Sequence, residues 1–175
     1  MIDGYEIRAS ASDDLHAIEA LYLAAFPEED LLPLVRDLLK CQHEVLSLIG
    51  TVGASLIAHV IFTKCAVEGL RSDVALLGPL AVAPDWQRKG AGSRIVRHGL
   101  QQLQHDGVNQ VFVLGNPAYY SRFGFSMESC VVAPYPLPAE WGAAWQSITL
   151  DGVVASASGT LSLPKPWLRK ELWSP

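Results

Sequence analysis

Cysteine is scarce in this chain, and its distribution excludes a disulfide frame. The three cysteines, Cys41, Cys65 and Cys130, are odd in number and far apart. Small secreted scaffolds carry paired cysteines, and zinc sites carry closely spaced ones. Neither pattern occurs, so a reducing compartment, the cytoplasm, is expected, with no metal. A basic surplus is missing as well. The formal net charge is −5, which speaks against nucleic-acid and anionic-membrane partners and leaves small-molecule or basic substrates. The opening MIDGYEIRAS has acidic residues and no apolar core, so no signal peptide is expected. There are no internal repeats, and no low-complexity tract beyond the short proline-rich loop Pro134–Pro138.

What is abundant is apolar. Half of the 175 residues are hydrophobic, enough for a sizeable core in a single domain spanning 1–175. The longest uncharged run, Val45–Phe62, interrupted only by a possible proton on His59, touches the lower limit for a membrane span. Gly50-Thr51-Val52-Gly53 sits in its middle and β-branched residues are common, so two buried strands joined by a short turn are expected instead.

The richest stretch is Leu77–Gly92, LGPLAVAPDWQRKGAG. It reads as a strand, a tight basic turn and a glycine-rich helix start. Helix N-termini carry unpaired N–H donors and partial positive charge, and glycines let a backbone approach an anion closely. Gln87, Arg88, Lys89, Gly90, Ala91, Gly92 and Ser93 thus form a candidate pyrophosphate loop. Two familiar phosphate motifs are incomplete here. The dinucleotide fingerprint lacks its third small residue at Ile95, and Lys89 precedes its glycine, unlike a Walker A lysine.

Downstream, SRIVRHGLQQLQHDG has helical spacing at Ile95, Gly99, Leu100 and Leu103, with Gly107 as a stop. Val108–Leu114 reads as a buried strand. Asn116-Pro117 is an N-cap followed by a first-turn proline, opening a short helix that Gly124 ends.

Gln87, Gly90 and Gly92 match Q/R-x-x-G-x-G/A, and Asn116, Tyr120, Gly124 and Phe125 match N-x-x-x-Y-x-x-x-G-F. Both patterns, in this order, resemble those of the GNAT superfamily of N-acetyltransferases. LGPLAV with GNPAYYSRFGF resembles its YhbS-like branch. The resemblance covers roughly residues 74–127. It implies an α/β fold, the GNAT acyl-CoA N-acyltransferase fold, with a mixed, mostly antiparallel sheet whose splayed central strands are flanked by helices. It implies acetyl-CoA as cosubstrate and a primary amine of an unidentified small molecule or peptide as acceptor, attacking directly in a ternary complex. A monomer or homodimer is expected. A non-catalytic acyl-CoA-binding or regulatory protein on the same fold is the alternative.

The chemistry can be assigned residue by residue. Gly78-Pro79 is odd inside a central strand, because proline cannot donate to the ladder and glycine weakens pairing. A bulge or splayed edge explains both; a strand entry at Leu80 is the other reading. The fold that the chain resembles has the splay, which would free the backbone of Leu80, Ala81 and Val82 for the pantetheine arm. Tyr120 holds the tyrosine slot and would protonate the leaving thiolate, since a phenol of pKa near 10 stays protonated at pH 7. Tyr119 is the fallback, about 100° away around the helix, and Phe123 joins the cofactor-binding set. Asn116 would bond the pantetheine arm, cap the helix, or do both. The general base is a gap. Ala75-Leu76-Leu77-Gly78 carries no carboxylate, so a water relay or a side chain from elsewhere must take the amine proton. Glu28, Glu29 and Asp30 read chiefly as a solvated helix break, and His59 as structural.

Elsewhere the expected elements are a strand Tyr5–Ala9, a helix Asp13–Phe26 capped by Ser10 or Ser12, a second helix Leu31–Lys40, a hairpin over 45–67 and a central strand Val74–Val82. Late strands are expected near Ile148–Asp151 and Gly159–Leu163. Trp141, Trp145, Trp167 and Trp173 either line an apolar acceptor pocket or pack the C-terminal half.

Overall fold

The computed structural model describes residues 1–69, 73–150, 152 and 158–175. They form two compact units. The first comprises Met1–Phe62 with Pro79–Gln101, the second Thr63–Gly78 with Gln102–Pro175.

The first unit begins with β1 (Tyr5–Ala9), then a 3-10 turn (Ser12–Asp14) running into α1 (Leu15–Ala25) and α2 (Leu32–Lys40). The hairpin follows as β2 (Val45–Val52) and β3 (Ser55–Val67), then β4 (Val74–Val82) and α3 (Ala91–His105). Strand order within this unit is β1-β2-β3-β4. β1 and β2 pair antiparallel from Tyr5↔Val52 to Ala9↔Leu48. The apolar run that touched membrane length is thus a hairpin turning at Gly53. Ile57–Phe62 is buried without alternation, as a strand covered on both faces should be. Ile18, Leu21 and Tyr22 of α1 and Leu34, Val35 and Leu38 of α2 are buried at helical spacing.

The helix start differs from the expectation. Neither Ser10 nor Ser12 caps it. The chain enters through the 3-10 turn, and the Asp14 carboxylate, braced by two hydrogen bonds from Arg8, accepts the Ala11 N–H at 2.7 Å. Ser10 instead turns to Ser47, Oγ to Oγ 2.6 Å. A carboxylate is the stronger acceptor for that N–H, which leaves the serine hydroxyl for the sheet.

The second unit adds β5 (Gln110–Leu114), the short α4 (Pro117–Tyr120), β6 (Ser126–Met127), β7 (Val131–Val132), β8 (Trp145–Thr149) and β9 (Gly159–Ser162). Its order is β3-β4-β5-β8-β6, with β9 antiparallel to β3 and β7 parallel to β9. β5 lies parallel to β4, and β8 antiparallel to both β5 and β6. β5 starts later than expected, because the N–H groups of Val108 and Asn109 bond to the carbonyls of Leu103 and Asp73 and close a turn. The strand expected at Ile148–Asp151 instead spans Trp145–Thr149; Asp151 lies outside the described residues.

Three tryptophans settle into this second core. Trp145 stacks on Phe112 at 5.6 Å between ring centroids and meets Trp173 edge-on at 6.0 Å; Trp167 meets Trp173 at 6.0 Å. Each indole N–H donates to a buried partner: Trp145 to the Val131 carbonyl, Trp167 to Thr63 Oγ1, Trp173 to the Trp167 carbonyl. Buried indoles need such partners. These three pack the C-terminal half; Trp141 is half-buried.

Candidate functional site

β4 is the spine of the first cluster. Its ladder with β5 runs from Val74↔Gln110 to Leu77↔Val113 and stops there. The strand nevertheless continues through Gly78, at φ 137°, and Pro79 to Val82. A fresh strand entry at Leu80 is therefore not what is seen. Burial changes at the same point: Val74–Leu77 are buried, while Gly78, Pro79, Leu80 and Val82 are only half-buried and Ala81 is buried. β5 leaves the strand at the residues where the sequence placed a splayed edge.

After β4 comes a 3-10 turn (Pro84–Trp86), then the exposed residues Gln87, Arg88, Lys89 and Gly90. Arg88 and Gly90 both have positive φ, 59° and 94°. At Gly90 that conformation favours a residue without Cβ. The first bond of α3 runs from the Arg94 N–H to the Gly90 carbonyl. The N–H groups of Ala91, Gly92 and Ser93 therefore precede the helical ladder, at the positive end of the α3 dipole. Ala91, Gly92 and Ser93 are all small, so no long side chain stands over this first turn. The Tyr5 hydroxyl holds the Ala91 carbonyl at 3.1 Å, and the Lys89 ammonium lies 5.5 Å from the Trp86 ring centroid. Gln87 has an occupation the sequence did not suggest. Its Nε2 donates to the Val82 carbonyl at 3.0 Å, tying the loop to the end of β4 and occupying one backbone acceptor of the splayed edge.

The second cluster surrounds α4. Asn116 is the N-cap, its Oδ1 accepting the Ala118 N–H at 2.9 Å, with Pro117 in the first turn. Gly124, at φ 97°, ends the following 3-10 turn. Tyr120 is half-buried. Its ring meets Tyr119 at 5.0 Å and Phe125 at 5.7 Å, both edge-on, and Phe123 at 6.2 Å. Gly115 makes room for it: a Cβ there would lie 2.4 Å from Tyr120 Cε2. Among the described residues nothing hydrogen-bonds the Tyr120 hydroxyl, and burial pushes its pKa well up, with Tyr119 adding to the effect. Tyr119 is half-buried beneath the Arg122 guanidinium, 4.4 Å above its ring.

The remaining candidates separate. Glu28, Glu29 and Asp30 are exposed. His59 is wholly buried on β3. Its Nδ1 lies 2.9 Å from the Tyr22 hydroxyl and its Nε2 2.9 Å from Ser47 Oγ. The sequence did not point to this group, because Tyr22 reads as one more apolar-face residue of α1. A cavity of about 680 Å³ adjoins it, lined by Ser10, Ser12, Glu19, Arg36, Lys40 and Ser47 among others.

Burial lowers the His59 pKa from the ordinary 6.5 to about 3, against the opposing pull of the Asp14 charge. The folded state thus holds it neutral. Above pH 6.5 it contributes no pH dependence. Below that only the unfolded chain takes up its proton, so stability falls with pH until the folded form titrates too. Between pH 6.5 and 5 the loss should be about 1.6 kcal/mol, the slope rising toward about 1.36 kcal/mol per pH unit as the unfolded histidine fills with protons. Urea unfolding over that interval should show this slope, and His59→Gln should flatten it. Equal slopes in the two proteins would remove His59 as the cause.

Known proteins share this fold. The model of the acetyltransferase (GNAT) family matches residues 15–125. The uncharacterized N-acetyltransferase YjhQ of Escherichia coli K12 is 32% identical over 165 residues, covering 90% of this chain and 89% of that protein. Among solved structures, the GNAT family N-acetyltransferase YhbS of Escherichia coli, in complex with CoA, superposes with a TM-score of 0.85 at 28% identity, covering 94% of this chain and 92% of that one. A GNAT family acetyltransferase of Brucella melitensis, in complex with acetyl-CoA, has a TM-score of 0.75 at 24% identity, covering 93% and 97%; at that identity it speaks for the fold alone.

Proposed function

Since the chain belongs to the acetyltransferase (GNAT) family, we propose that it transfers the acetyl group of acetyl-CoA to a primary amine, by direct attack in a ternary complex. The observation that carries this is the course of β4. It leaves β5 after Leu77 and runs, half-buried, into a helix start with N–H groups ahead of its ladder. YhbS and the Brucella protein, which share the fold, hold CoA and acetyl-CoA.

In this reading Gln87–Ser93 holds the pyrophosphate, with the amides of Ala91, Gly92 and Ser93 as donors and Arg88 and Lys89 adding charge. Gln87 acts as the brace between loop and strand. Leu80 and Ala81 offer backbone groups to the pantetheine amides, and Val82 offers its N–H side, its carbonyl being taken. Asn116 caps α4 through Oδ1 and keeps its amide N–H for the same arm. Tyr119 and Phe123 flank Tyr120, which gives its proton to the departing sulfur. Burial that raises the phenol pKa acts likewise on a desolvated thiolate, so the two remain matched for proton sharing.

The family match spans segments of both compact units, which supports one GNAT domain over 1–175. Three free cysteines and a net charge of −5 support a cytoplasmic protein without nucleic-acid or membrane partners; a monomer or homodimer is proposed with it. Among the described residues no helix is long and apolar enough to cross a membrane.

Thermal unfolding tests the coenzyme directly. Acetyl-CoA at a hundredfold excess over its Kd should stabilise the native state by about 2.7 kcal/mol and raise Tm accordingly. NADH and ATP should do far less. Equal shifts with NADH would remove the coenzyme A assignment.

A further inference from the structure

We propose that Tyr5 is a positioning residue for coenzyme binding: its hydroxyl fixes and polarises the peptide between Ala91 and Gly92, and so aims the Gly92 N–H at the pyrophosphate. The proposal deepens the coenzyme assignment above and rests on it. Tyr5, Gly50, Ala91, Gly92 and Arg94 all lie in the first unit.

Tyr5 opens β1, opposite Val52 of β2, and two residues on Ile7 stands opposite Gly50. The buried Tyr5 ring therefore reaches diagonally across β2 to Gly50. Gly50 leaves the room for it, because a Cβ there would run into the Tyr5 hydroxyl and the end of its ring. From this seat the hydroxyl donates to the Ala91 carbonyl at 3.1 Å. A second tie runs the other way. The Arg94 guanidinium lies over the Tyr5 ring, 4.7 Å from its centroid, and donates to the Ile2 and Tyr5 carbonyls, each at 3.4 Å. Side chain to backbone in both directions, β1 grips the first turn of α3 at two residues three positions apart.

Packing alone does not call for this hydroxyl. A phenylalanine would fill the same space. In a helix that begins at Ala91, the Ala91 carbonyl has the Ile95 N–H as its ladder partner. The tyrosine adds a second bond on the remaining lone pair of that oxygen. Its consequence falls on the other end of the same peptide. A trans peptide is planar, and its C=O and N–H point opposite ways. Holding the Ala91 oxygen therefore sets the direction of the Gly92 N–H, one of the donors that precede the helical ladder. A donor on the oxygen also polarises the amide, which makes its N–H the stronger donor to an anion. The grip costs no charge and places no side chain in the path of the coenzyme.

Tyr5→Phe removes the bond and keeps the ring over Gly50 and under Arg94. Parent and variant are titrated with CoA and with pantetheine, which has the arm but no pyrophosphate, and binding is followed by backbone amide shifts, which also read weak affinities. The Kd for CoA should rise roughly two- to tenfold, the range of one ordinary hydrogen bond, while that for pantetheine stays. In the CoA complex the Gly92 amide proton should move upfield in the variant by more than those of Ala91 and Ser93. Gly50→Ala, which drives the hydroxyl off Ala91 from the β2 side, should weaken CoA in the same way and serves if Tyr5→Phe does not fold. Parental CoA affinity in the folded variant overturns the positioning role alone. Equal weakening of CoA and pantetheine also overturns it and makes Tyr5 a support of the fold. A parent that binds neither CoA nor acetyl-CoA overturns the coenzyme reading and the role of Tyr5 together.

Discussion

Tyr120→Phe should lower turnover with a competent amine by roughly tenfold or more, within the range of general acid catalysis, and leave acetyl-CoA affinity nearly unchanged. The substitution is unusually clean. The ring that fits over Gly115 and against Tyr119, Phe123 and Phe125 stays. The hydroxyl it removes has no hydrogen-bond partner among the described residues, so no buried acceptor is orphaned and stability should hold. What disappears is a proton that the phenol already holds at neutral pH and that burial holds more firmly. The assay follows thiol release while small amines, amino acids and basic peptides are offered in turn. Parental turnover in Tyr120→Phe would end the proton-donor assignment. Tight acetyl-CoA binding without thiol release from any acceptor, in the parent itself, would favour a non-catalytic acyl-CoA-binding protein.

Gly90→Asp and Gly92→Asp should each weaken coenzyme A binding at least tenfold, about 1.4 kcal/mol, in a protein that still folds. The two effects of the new carboxylate point in opposite directions. At a helix N-terminus a negative side chain stabilises the helix by about 0.3–1 kcal/mol. The same charge repels a pyrophosphate bound there. At Gly90 a Cβ would meet nothing within 4 Å, so the cost of substitution lies in its φ of 94°. Such strain is of order 1–3 kcal/mol. Gly90→Ala carries that strain without the charge, and the difference between the two variants isolates the electrostatic part. Calorimetry showing unchanged coenzyme A affinity in a folded Asp variant would make the loop purely structural.

The parts of this molecule that a one-dimensional reading reaches are those written in local chemistry. β1 falls at Tyr5–Ala9, the N-cap and first-turn proline at Asn116-Pro117, and the hairpin turn at Gly53, because each depends on residues a few positions apart. The interruption of β4 was legible from Gly78-Pro79 for the same reason. Two kinds of feature were not legible. β6 and β7 are two residues each, too short for any periodicity and created by their neighbours. The row from Tyr22 to Ser10 joins positions 12 and 37 residues apart. Its members read singly as a core tyrosine, a structural histidine and two ordinary serines. Only the sheet's pairing places them in line. The helix cap was misread on a finer point, since Asp14 became the stronger competitor only once Arg8 of β1 held its carboxylate in place.

The tryptophans give the protein an optical division of labour. Of the five in the chain, Trp86 alone belongs to the first compact unit, beside the loop and beneath the Lys89 ammonium. Trp145, Trp167 and Trp173 sit within 6.0 Å of one another in successive pairs in the second. Indoles so close couple their excited states and report packing through near-ultraviolet circular dichroism. A lone indole beside the loop proposed to hold the pyrophosphate reports charge through its emission. One protein without any attached dye therefore offers separate signals for the order of its second core and for events at the start of α3.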